Sequence, residues 1–188
     1  MDNKIRLIAG HWRSRQLHFM QTPHLRPTPA RVRETLFNWL QTDIVGSRCL
    51  DLYAGSGALS FEAGSRGAGY VVQVENNPLA CQALKNNAQA LQASQVKLVQ
   101  ADAFAYLAGR AEAFDIVFID PPFTQALAAR SCQSLEHKGW LADWAKIYVE
   151  TPRPLLVNDL PDNWQLLKQK TAGEVVYSLY QRIAKSIA

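Results

Sequence analysis

The chain has 188 residues, 48% of them hydrophobic, and carries a formal net charge of +4. This length is typical of one domain with a substantial core, with or without a small appendage. A membrane-spanning helix is not expected because no apolar run reaches about 18 residues. Residues 1–4 lack a signal-peptide core, which predicts a cytoplasmic protein. The three cysteines and four histidines show no zinc-ligand or disulfide spacing, so neither a metal nor a disulfide framework is expected.

The positive charge is concentrated at the amino-terminal end. Residues 1–33 carry seven basic side chains and one acid, whereas the remaining residues carry thirteen basic and fifteen acidic side chains. A basic end on a mildly acidic body suggests that this end contacts a polyanionic partner. An ordinary solvated basic face has the same composition and is the alternative.

The basic end begins with a predicted β-hairpin, in which residues 5–9 and 16–19 flank a turn. Two strands alone are marginally stable, so this hairpin must pack on the body or on a partner. Trp12 among basic neighbours suits RNA, but an aromatic side chain pinned to the domain explains it equally well. An extended, proline-rich segment follows, and residues 1–29 are therefore predicted to be a hairpin and linker, separate from residues 30–188.

A helix is predicted after this linker, with Thr28 as its N-cap, Pro29 at its first position and its end near residue 42. Apolar residues recur on one side at helical spacing, and charged residues, Arg33 among them, are predicted to lie elsewhere. The basic residues at its start place the helix at a substrate mouth or, as an equal alternative, form a solvated face.

From residue 47 onward strands and helices alternate, which predicts a parallel sheet with crossover helices. The predicted strands cover residues 47–54, 70–75, 96–100, 114–120 and 146–150, and helices begin near residues 58, 78, 103 and 125. Two final strands, at about residues 165–170 and 175–182, are joined by a short loop with Gly173 and are predicted to pair antiparallel.

Residues 51–57, Asp-Leu-Tyr-Ala-Gly-Ser-Gly, are predicted to be a glycine-rich turn between a strand and a helix. Gly55 and Gly57 permit positive φ and let backbone N–H groups approach a ligand. Open α/β sheets bind nucleotides at such turns, although a tight connection without a ligand has the same pattern. Glu75 ends the next strand, at about the 20-residue spacing of an acid that binds ribose hydroxyls; a solvated carboxylate is the alternative. Asp102, after the third strand, can accept from an adenine amine, cap the next helix, or do both.

Residues 120–123, Asp-Pro-Pro-Phe, are predicted to form a proline corner that ends the apolar run at residues 114–119, because proline cannot donate to a sheet ladder. An exocyclic ring amine is a poor nucleophile, so its methylation requires a site that orients the nitrogen and accepts its hydrogens. The Asp120 carboxylate and the Pro121 carbonyl can accept these hydrogens, and Phe123 can stack on the base. A simple strand-ending turn is the alternative.

Parallel strands with crossover helices and an antiparallel carboxyl-terminal hairpin are the organisation of S-adenosylmethionine-dependent methyltransferases, and six stretches carry a closer resemblance. They are RLIAGHWRSRQL (residues 6–17), LRPTPARVRETLFNWL (25–40), CLDLYAGSGALSFEA (49–63), VFIDPPF (117–123), GWLADWAKIYVE (139–150) and VVYSLYQR (175–182). In these stretches the chain resembles the RsmD family, which methylates the exocyclic N2 amine of one guanine in bacterial small-subunit (16S) rRNA. The second stretch is the most specific. One departure is Ser14, where the family usually has glycine.

This resemblance implies a Rossmann-like α/β methyltransferase with a mostly parallel seven-stranded sheet, an antiparallel carboxyl-terminal hairpin and a small amino-terminal β-hairpin extension. Residues 30–188, including the leading helix 30–42, are then the methyltransferase domain. It also implies S-adenosylmethionine as cofactor, no metal, and a monomer that acts on 16S rRNA in the small subunit or a late precursor. The implied cofactor contacts are Asp51, Tyr53, Gly55, Gly57, Glu75, Asn76, Asp102 and Ala103; the catalytic residues are Asp120, Pro121 and Phe123; the RNA contacts are Arg6, Arg13, Arg15, Arg26 and Arg31.

Other functions stay open at this point. A DNA or protein amino-methyltransferase would share the glycine turn and the proline corner. A ribosome-assembly module without turnover would share the fold, although an intact corner argues against it. A nicotinamide oxidoreductase is disfavoured, because the glycine pattern is short and no hydride-transfer site is evident.

Overall fold

The computed structural model describes residues 3–20, 27–122 and 125–184. An antiparallel hairpin of β1 (Lys4–Arg6) and β2 (Gln16–His18) precedes α1 (Ala30–Trp39). The main body then contains β3 (Arg48–Asp51), α2 (Ala58–Ser65), β4 (Tyr70–Glu75), α3 (Pro78–Leu91), β5 (Val96–Gln100), α4 (Ala103–Leu107), β6 (Phe114–Ile119), α5 (Gln125–His137), β7 (Leu141–Thr151), a 3-10 turn (Val157–Asp159), β8 (Trp164–Ala172) and β9 (Val175–Arg182). Within these described ranges, no helix is long and apolar enough to cross a membrane.

The main sheet has seven strands in the order β5-β4-β3-β6-β7-β9-β8, all parallel except β9, which runs antiparallel to both of its neighbours. The predicted fold is therefore confirmed. From β3 the chain builds outward through β4 to β5, then returns to place β6 on the other side of β3. Ligands of open α/β sheets bind at such a reversal of strand order, beyond the carboxyl ends of the strands.

Both faces of the sheet are covered, and β6 shows why its sequence is continuously apolar. Ile116 and Phe118 pack in a buried cluster with residues of α1, while Val117 and Ile119 pack in a second cluster with residues of α5. All four side chains are fully buried. A strand in this position ends at the centre of the reversal, so it holds the proline corner rigidly.

The amino-terminal hairpin packs on α2 and α3 through a third apolar cluster. Trp12 is 5% exposed and its ring makes a T-shaped contact with Phe61, so this tryptophan anchors the hairpin to the domain. The hairpin loop is also bonded to Ser65, whose carbonyl accepts from the His11 amide (2.7 Å). A Cβ at Gly10 would lie 1.9 Å from that carbonyl oxygen, so only glycine fits there.

Ser14 closes the turn of this hairpin in the left-handed region, with φ at 67°. A residue other than glycine is strained by such a φ. A glycine at this position would adopt this φ without that strain.

The structure corrects three details of the leading helix. The predicted N-cap at Thr28 is wrong: Pro29 is the cap residue, with no side-chain cap bond, and the Thr28 hydroxyl instead donates to Asp120 Oδ2 (3.5 Å). The helix ends at Trp39 rather than near residue 42. Arg33, predicted to lie away from the core, is 3% exposed.

Strand boundaries also differ from the prediction where pairing continues through less regular backbone. β7 begins at Leu141 rather than near residue 146, because Leu141 pairs with Phe114 before a register shift. β3 is shorter than predicted, although the Leu52 and Ala54 amides beyond it still donate to the Phe118 and Val74 carbonyls of the flanking strands.

Candidate active site

A cavity of about 1140 Å³ opens at the carboxyl ends of β3 through β7. Parallel strands end at the same edge of a sheet, so the loops that follow them share this space. The volume exceeds the roughly 300–1,000 Å³ of a typical small-molecule pocket, which leaves room for a cofactor and a nucleobase together. Among the described residues in its wall are Thr28, Asp51, Tyr53, Gly55, Glu75, Asn76, Asp102, Ala103, Asp120, Pro121, Arg130 and Glu150.

The glycine turn and Glu75 are joined directly. Glu75 Oε2 accepts from the Gly55 amide (2.8 Å), and its Oε1 accepts from the Asn77 amide (2.8 Å). The half-buried carboxylate is therefore held at the mouth of the turn. Gly57 (φ 77°) lies behind the turn, where its amide donates to Ala54 and a Cβ would be 2.6 Å from the Phe61 ring. Its glycine requirement thus comes from close packing with α2.

Asp102 lies at the start of α4 and caps it. Its Oδ1 accepts from the amides of Phe104 (2.9 Å) and Ala105 (3.0 Å), so the capping role is present in the structure. The same side chain is exposed and lines the cavity beside Ala103 and Phe104. The Phe104 ring carries Arg130 on its face, with the guanidinium carbon 3.9 Å from the ring centroid.

Three further predicted cofactor residues lie in the same wall. Tyr53 shares a hydrogen bond with the Ser131 hydroxyl (2.8 Å), and Asn76 is exposed at the end of β4. Asp51 is almost fully buried, and burial raises its pKa to about 7, outweighing the hydrogen bonds from Ser60. Nearby Glu75 raises the Asp51 pKa further.

The opposite wall, at the ends of β6 and β7, holds a second group of acids. Burial raises the pKa of Asp120, and the charges of Glu150 and Asp51 add to this effect, while the Thr28 hydroxyl opposes it. Glu150 is 8% exposed, and its Oε1 accepts from the Tyr148 hydroxyl (2.7 Å). Burial also raises the pKa of Glu150. Pro121 is buried beside Asp120 in the cavity wall.

The residues in this cavity fit S-adenosylmethionine. That molecule carries a sulfonium and an ammonium charge, and it donates hydrogen bonds from ribose hydroxyls and an adenine amine. The described wall offers six carboxylates, and Arg130 is the single basic side chain among the lining residues that the structure describes. Carboxylates accept from such donors and neutralise such charges.

The described arginines among the predicted RNA-binding residues lie outside the cavity wall. Arg6, Arg13, Arg15 and Arg31 are exposed, and Arg15 Nη2 also donates to the Ala90 carbonyl (2.7 Å). Two predicted site residues, Arg26 and Phe123, lie outside the described residues. Across the described part of the chain, no group of histidine, cysteine, aspartate or glutamate side chains is arranged to hold a metal ion.

Sequence reasoning missed several side chains of the cavity, among them Thr28, Arg130 and Glu150. Glu150 had a visible signal, an acid at the carboxyl end of a predicted strand, as Glu75 has. Thr28 has the sequence features of a helix cap, and Arg130 looks like an ordinary charged residue on a helix. Nothing local in the sequence marks Thr28 or Arg130 as cavity residues.

An open sheet of this topology, with a glycine turn and an acid-lined cavity at its reversal point, defines an S-adenosylmethionine-dependent methyltransferase. Comparison with known proteins agrees. The family described as "conserved hypothetical protein 95" matches residues 5–181. The ribosomal RNA small subunit methyltransferase D of Escherichia coli is 46% identical over 98% of this chain and 93% of its own, and that of Haemophilus influenzae is 45% identical over 95% and 94%.

A solved Escherichia coli structure, described as that of a methyltransferase, superposes with a TM-score of 0.88 at 46% identity, covering 97% of this chain and 99% of the other. The chain therefore belongs to the matched family, which is the RsmD family that its sequence resembles.

Proposed function

We propose that this protein transfers a methyl group from S-adenosylmethionine to the exocyclic N2 amine of one guanine in small-subunit (16S) rRNA. The observation that carries the proposal is the position of Asp120 and Pro121. These two acceptors lie in one cavity with Glu75, the glycine turn and Asp102. The names of the near full-length relatives support rRNA of the small subunit as the substrate.

When bound, S-adenosylmethionine supplies an electrophilic methyl group on a sulfonium. The protein's own contribution is orientation, which can be worth ~7–11 kcal/mol of the barrier. The Asp120 carboxylate and the Pro121 carbonyl accept the two amine hydrogens and so direct the nitrogen lone pair toward the methyl group. The raised pKa of Asp120 suits it to take up the proton that the amine must lose after transfer.

The target guanine must be unpaired or flipped out, because the N2 amine of a paired guanine is engaged and Asp120 lies inside a cavity. Phe123 is proposed to stack on that base. Glu75 and Asp102 are proposed to accept from the cofactor, and the predicted RNA contacts Arg6, Arg13, Arg15, Arg26 and Arg31 are proposed to contact phosphates. We further propose that the enzyme acts as a cytoplasmic monomer on the assembled small subunit or a late precursor.

The direct test is mass spectrometry of 16S rRNA nucleosides from cells with and without the gene, followed by in vitro methylation of subunits from the deletion strain. N2-methylguanosine should be missing from the deletion strain and be restored by the purified protein. Plasmid DNA and bulk protein serve as alternative acceptors. Restoration by the Asp120→Ala variant at the normal rate, or methylation of DNA or protein instead of rRNA, would contradict the proposal.

A further inference from the structure

The proline corner accounts for two hydrogens of a guanine, but the edge that carries the amine presents a third donor. Guanine N1–H lies directly beside N2 and points in the same direction. A cavity that buries this edge must supply an acceptor for N1–H, because an unpaired buried donor is costly. Asp120 and Pro121 are already assigned to the amine, so this acceptor must be another group of the same wall.

The register of β6 and β7 places Glu150 beside Asp120. Ile119 pairs with Val149 in the parallel ladder, so Asp120 and Glu150 are the next residues on the two strands. Both side chains border the cavity, together with the Thr28 hydroxyl. The Thr28 hydroxyl donates to Asp120 Oδ2 (3.5 Å), and it opposes the rise in the pKa of Glu150 that burial causes.

The Glu150 carboxyl is held in a fixed orientation. Tyr148 is fully buried two residues earlier on the same face of β7, and its hydroxyl donates to Glu150 Oε1 (2.7 Å). Because Oε1 is bonded to Tyr148 and Glu150 lines the cavity, Oε2 is the oxygen that remains for a donor bound there. Such a buried, oriented carboxylate beside the amine site is a typical acceptor for a second donor on a planar base edge.

Resting on the proposed function, we propose that Glu150 accepts the N1–H of the target guanine and thereby sets the specificity of the enzyme for that base. The two other amino-bearing bases carry a lone pair next to the amine, at N1 of adenine and N3 of cytosine. A carboxylate opposite a lone pair repels it, and the desolvated site cannot relieve that repulsion. Glu150 would thus select guanine, whereas Asp120 and Pro121 would accept any exocyclic amine.

The experiment uses the full chain and small subunits whose 16S rRNA carries either guanosine or 2-aminopurine at the modified position. The 2-aminopurine base keeps the amine but has a lone pair at N1. Wild-type enzyme should prefer guanosine. In Glu150→Gln the Tyr148 hydroxyl still donates to the side-chain amide oxygen. The amide N–H is then directed at the base and can donate to 2-aminopurine N1. The guanosine to 2-aminopurine ratio of kcat/KM should fall by about 5- to 150-fold.

Glu112→Gln is the matched control, because it removes one carboxylate from a half-exposed surface position; it should keep the wild-type ratio. A Glu150→Gln enzyme that loses activity equally on both bases, or keeps the wild-type ratio, would overturn the inference. Equal methylation of both bases by the wild-type enzyme would also overturn the inference, without the need for any variant. Absence of methylation on the guanosine substrate would instead overturn the proposed function itself.

Discussion

Arg33 of α1 and Glu62 of α2 form a buried ion pair, with Arg33 Nη1 3.4 Å from Glu62 Oε2 and the side chains 3% and 0% exposed. Glu62 also accepts from Arg66 Nε (2.8 Å) and from the backbone amides of Ile8 and Ala9. Arg33 donates to the Arg6 and Thr28 carbonyls. This pair therefore ties the amino-terminal hairpin, the leading helix and the backbone of Thr28 to the main body.

Glu62→Gln should destabilise the fold strongly, because it leaves the buried Arg33 guanidinium, and the partly exposed Arg66 guanidinium beside it, without a carboxylate. Removing one partner of a buried pair costs about 3–5 kcal/mol, which chemical denaturation would measure. The matched control is Glu112→Gln, which breaks the partly exposed pair with Arg48 and should cost at most about 1 kcal/mol. Similar losses of unfolding free energy in the two variants would show that the buried Arg33–Glu62 pair contributes no more to stability than the partly exposed pair.

Glu75→Ala should weaken S-adenosylmethionine binding, with a loss of ~1–3 kcal/mol for hydrogen bonds to a charged acceptor. The same change releases the Gly55 and Asn77 amides, which Glu75 holds in the free protein. Isothermal titration of the folded variant would measure the affinity. Asp102→Asn is a useful companion, since asparagine still caps α4 and any loss of affinity then reports on the ligand. Unchanged binding in Glu75→Ala would return Glu75 to a purely structural role.

Asp120→Ala should abolish most methyl transfer, with a single-turnover rate at least about 10²-fold lower, while cofactor affinity stays near normal. The fold should not suffer, because burial already disfavours the charge of this carboxyl, as its raised pKa shows. Rapid-quench kinetics and thermal melting on one preparation would test both statements. A near-normal rate would remove Asp120 from the chemistry.

The buried Asp51 should make the free protein less stable as pH rises from about 4 to 7. Its pKa is raised from 3.8 to about 7 in the fold, so in this window the folded state holds a proton that the unfolded chain has released. Stability falls with pH wherever the folded state binds more protons, and the loss is complete above the folded pKa. The contribution is roughly 2–4 kcal/mol.

Denaturant titrations at pH 5 and pH 8 would measure this difference for the wild type and for Asp51→Asn, which cannot ionise. The variant should lose a large part of the decline. Asp162→Asn, at an exposed position, should keep it. An Asp51→Asn protein with the full wild-type decline would assign the effect to other carboxyls.

Replacing Arg13 and Arg15 by glutamine should weaken rRNA binding and reduce its salt dependence. Each phosphate contact contributes ~0.7–0.9 to the logarithmic slope, so the pair should account for ~1–2. Filter binding at several salt concentrations measures the slope, and Arg110→Gln, exposed in the loop between α4 and β6, is the control. An unchanged slope would redirect attention to Arg26 and Arg31.

Trp12→Ala should instead lower the free energy of unfolding by about 3–5 kcal/mol, because this ring is buried.

The sequence predicts the strands of the sheet well because their signals are local. β6 reads as a buried strand from its own six residues, and the proline corner that ends it is equally local. Arg33 shows what such local signals cannot predict. Its neighbours on α1 give no sign that a carboxylate from another helix, 29 positions along the chain, will meet it in the core. Long-range charge pairing of this kind becomes visible only when the helices are packed.

The cavity residues also divide into those with a local sequence signal and those whose position depends on long-range packing. Glu75 is predictable from its spacing to the glycine turn, and Asp102 from its position directly after the third strand. Glu150 also lies at the carboxyl end of a strand, but its place in the site depends on β7 pairing in parallel with β6, which brings Glu150 beside Asp120. Thr28 was misassigned because a threonine before Pro29 is a common helix start, whereas the chain here uses its hydroxyl in the cavity.

The hairpin loop is docked on Ser65, and this has a consequence for the shape of any RNA that contacts both the loop and the cavity. A loop held by backbone hydrogen bonds and by a glycine with no space for a Cβ cannot swing to follow a mobile strand. The distance from Arg13 to the cavity is then fixed by the protein. An RNA that reaches both points at once must already hold its phosphates and its exposed base at that spacing, so the protein would gauge the folded architecture of its substrate as well as the base.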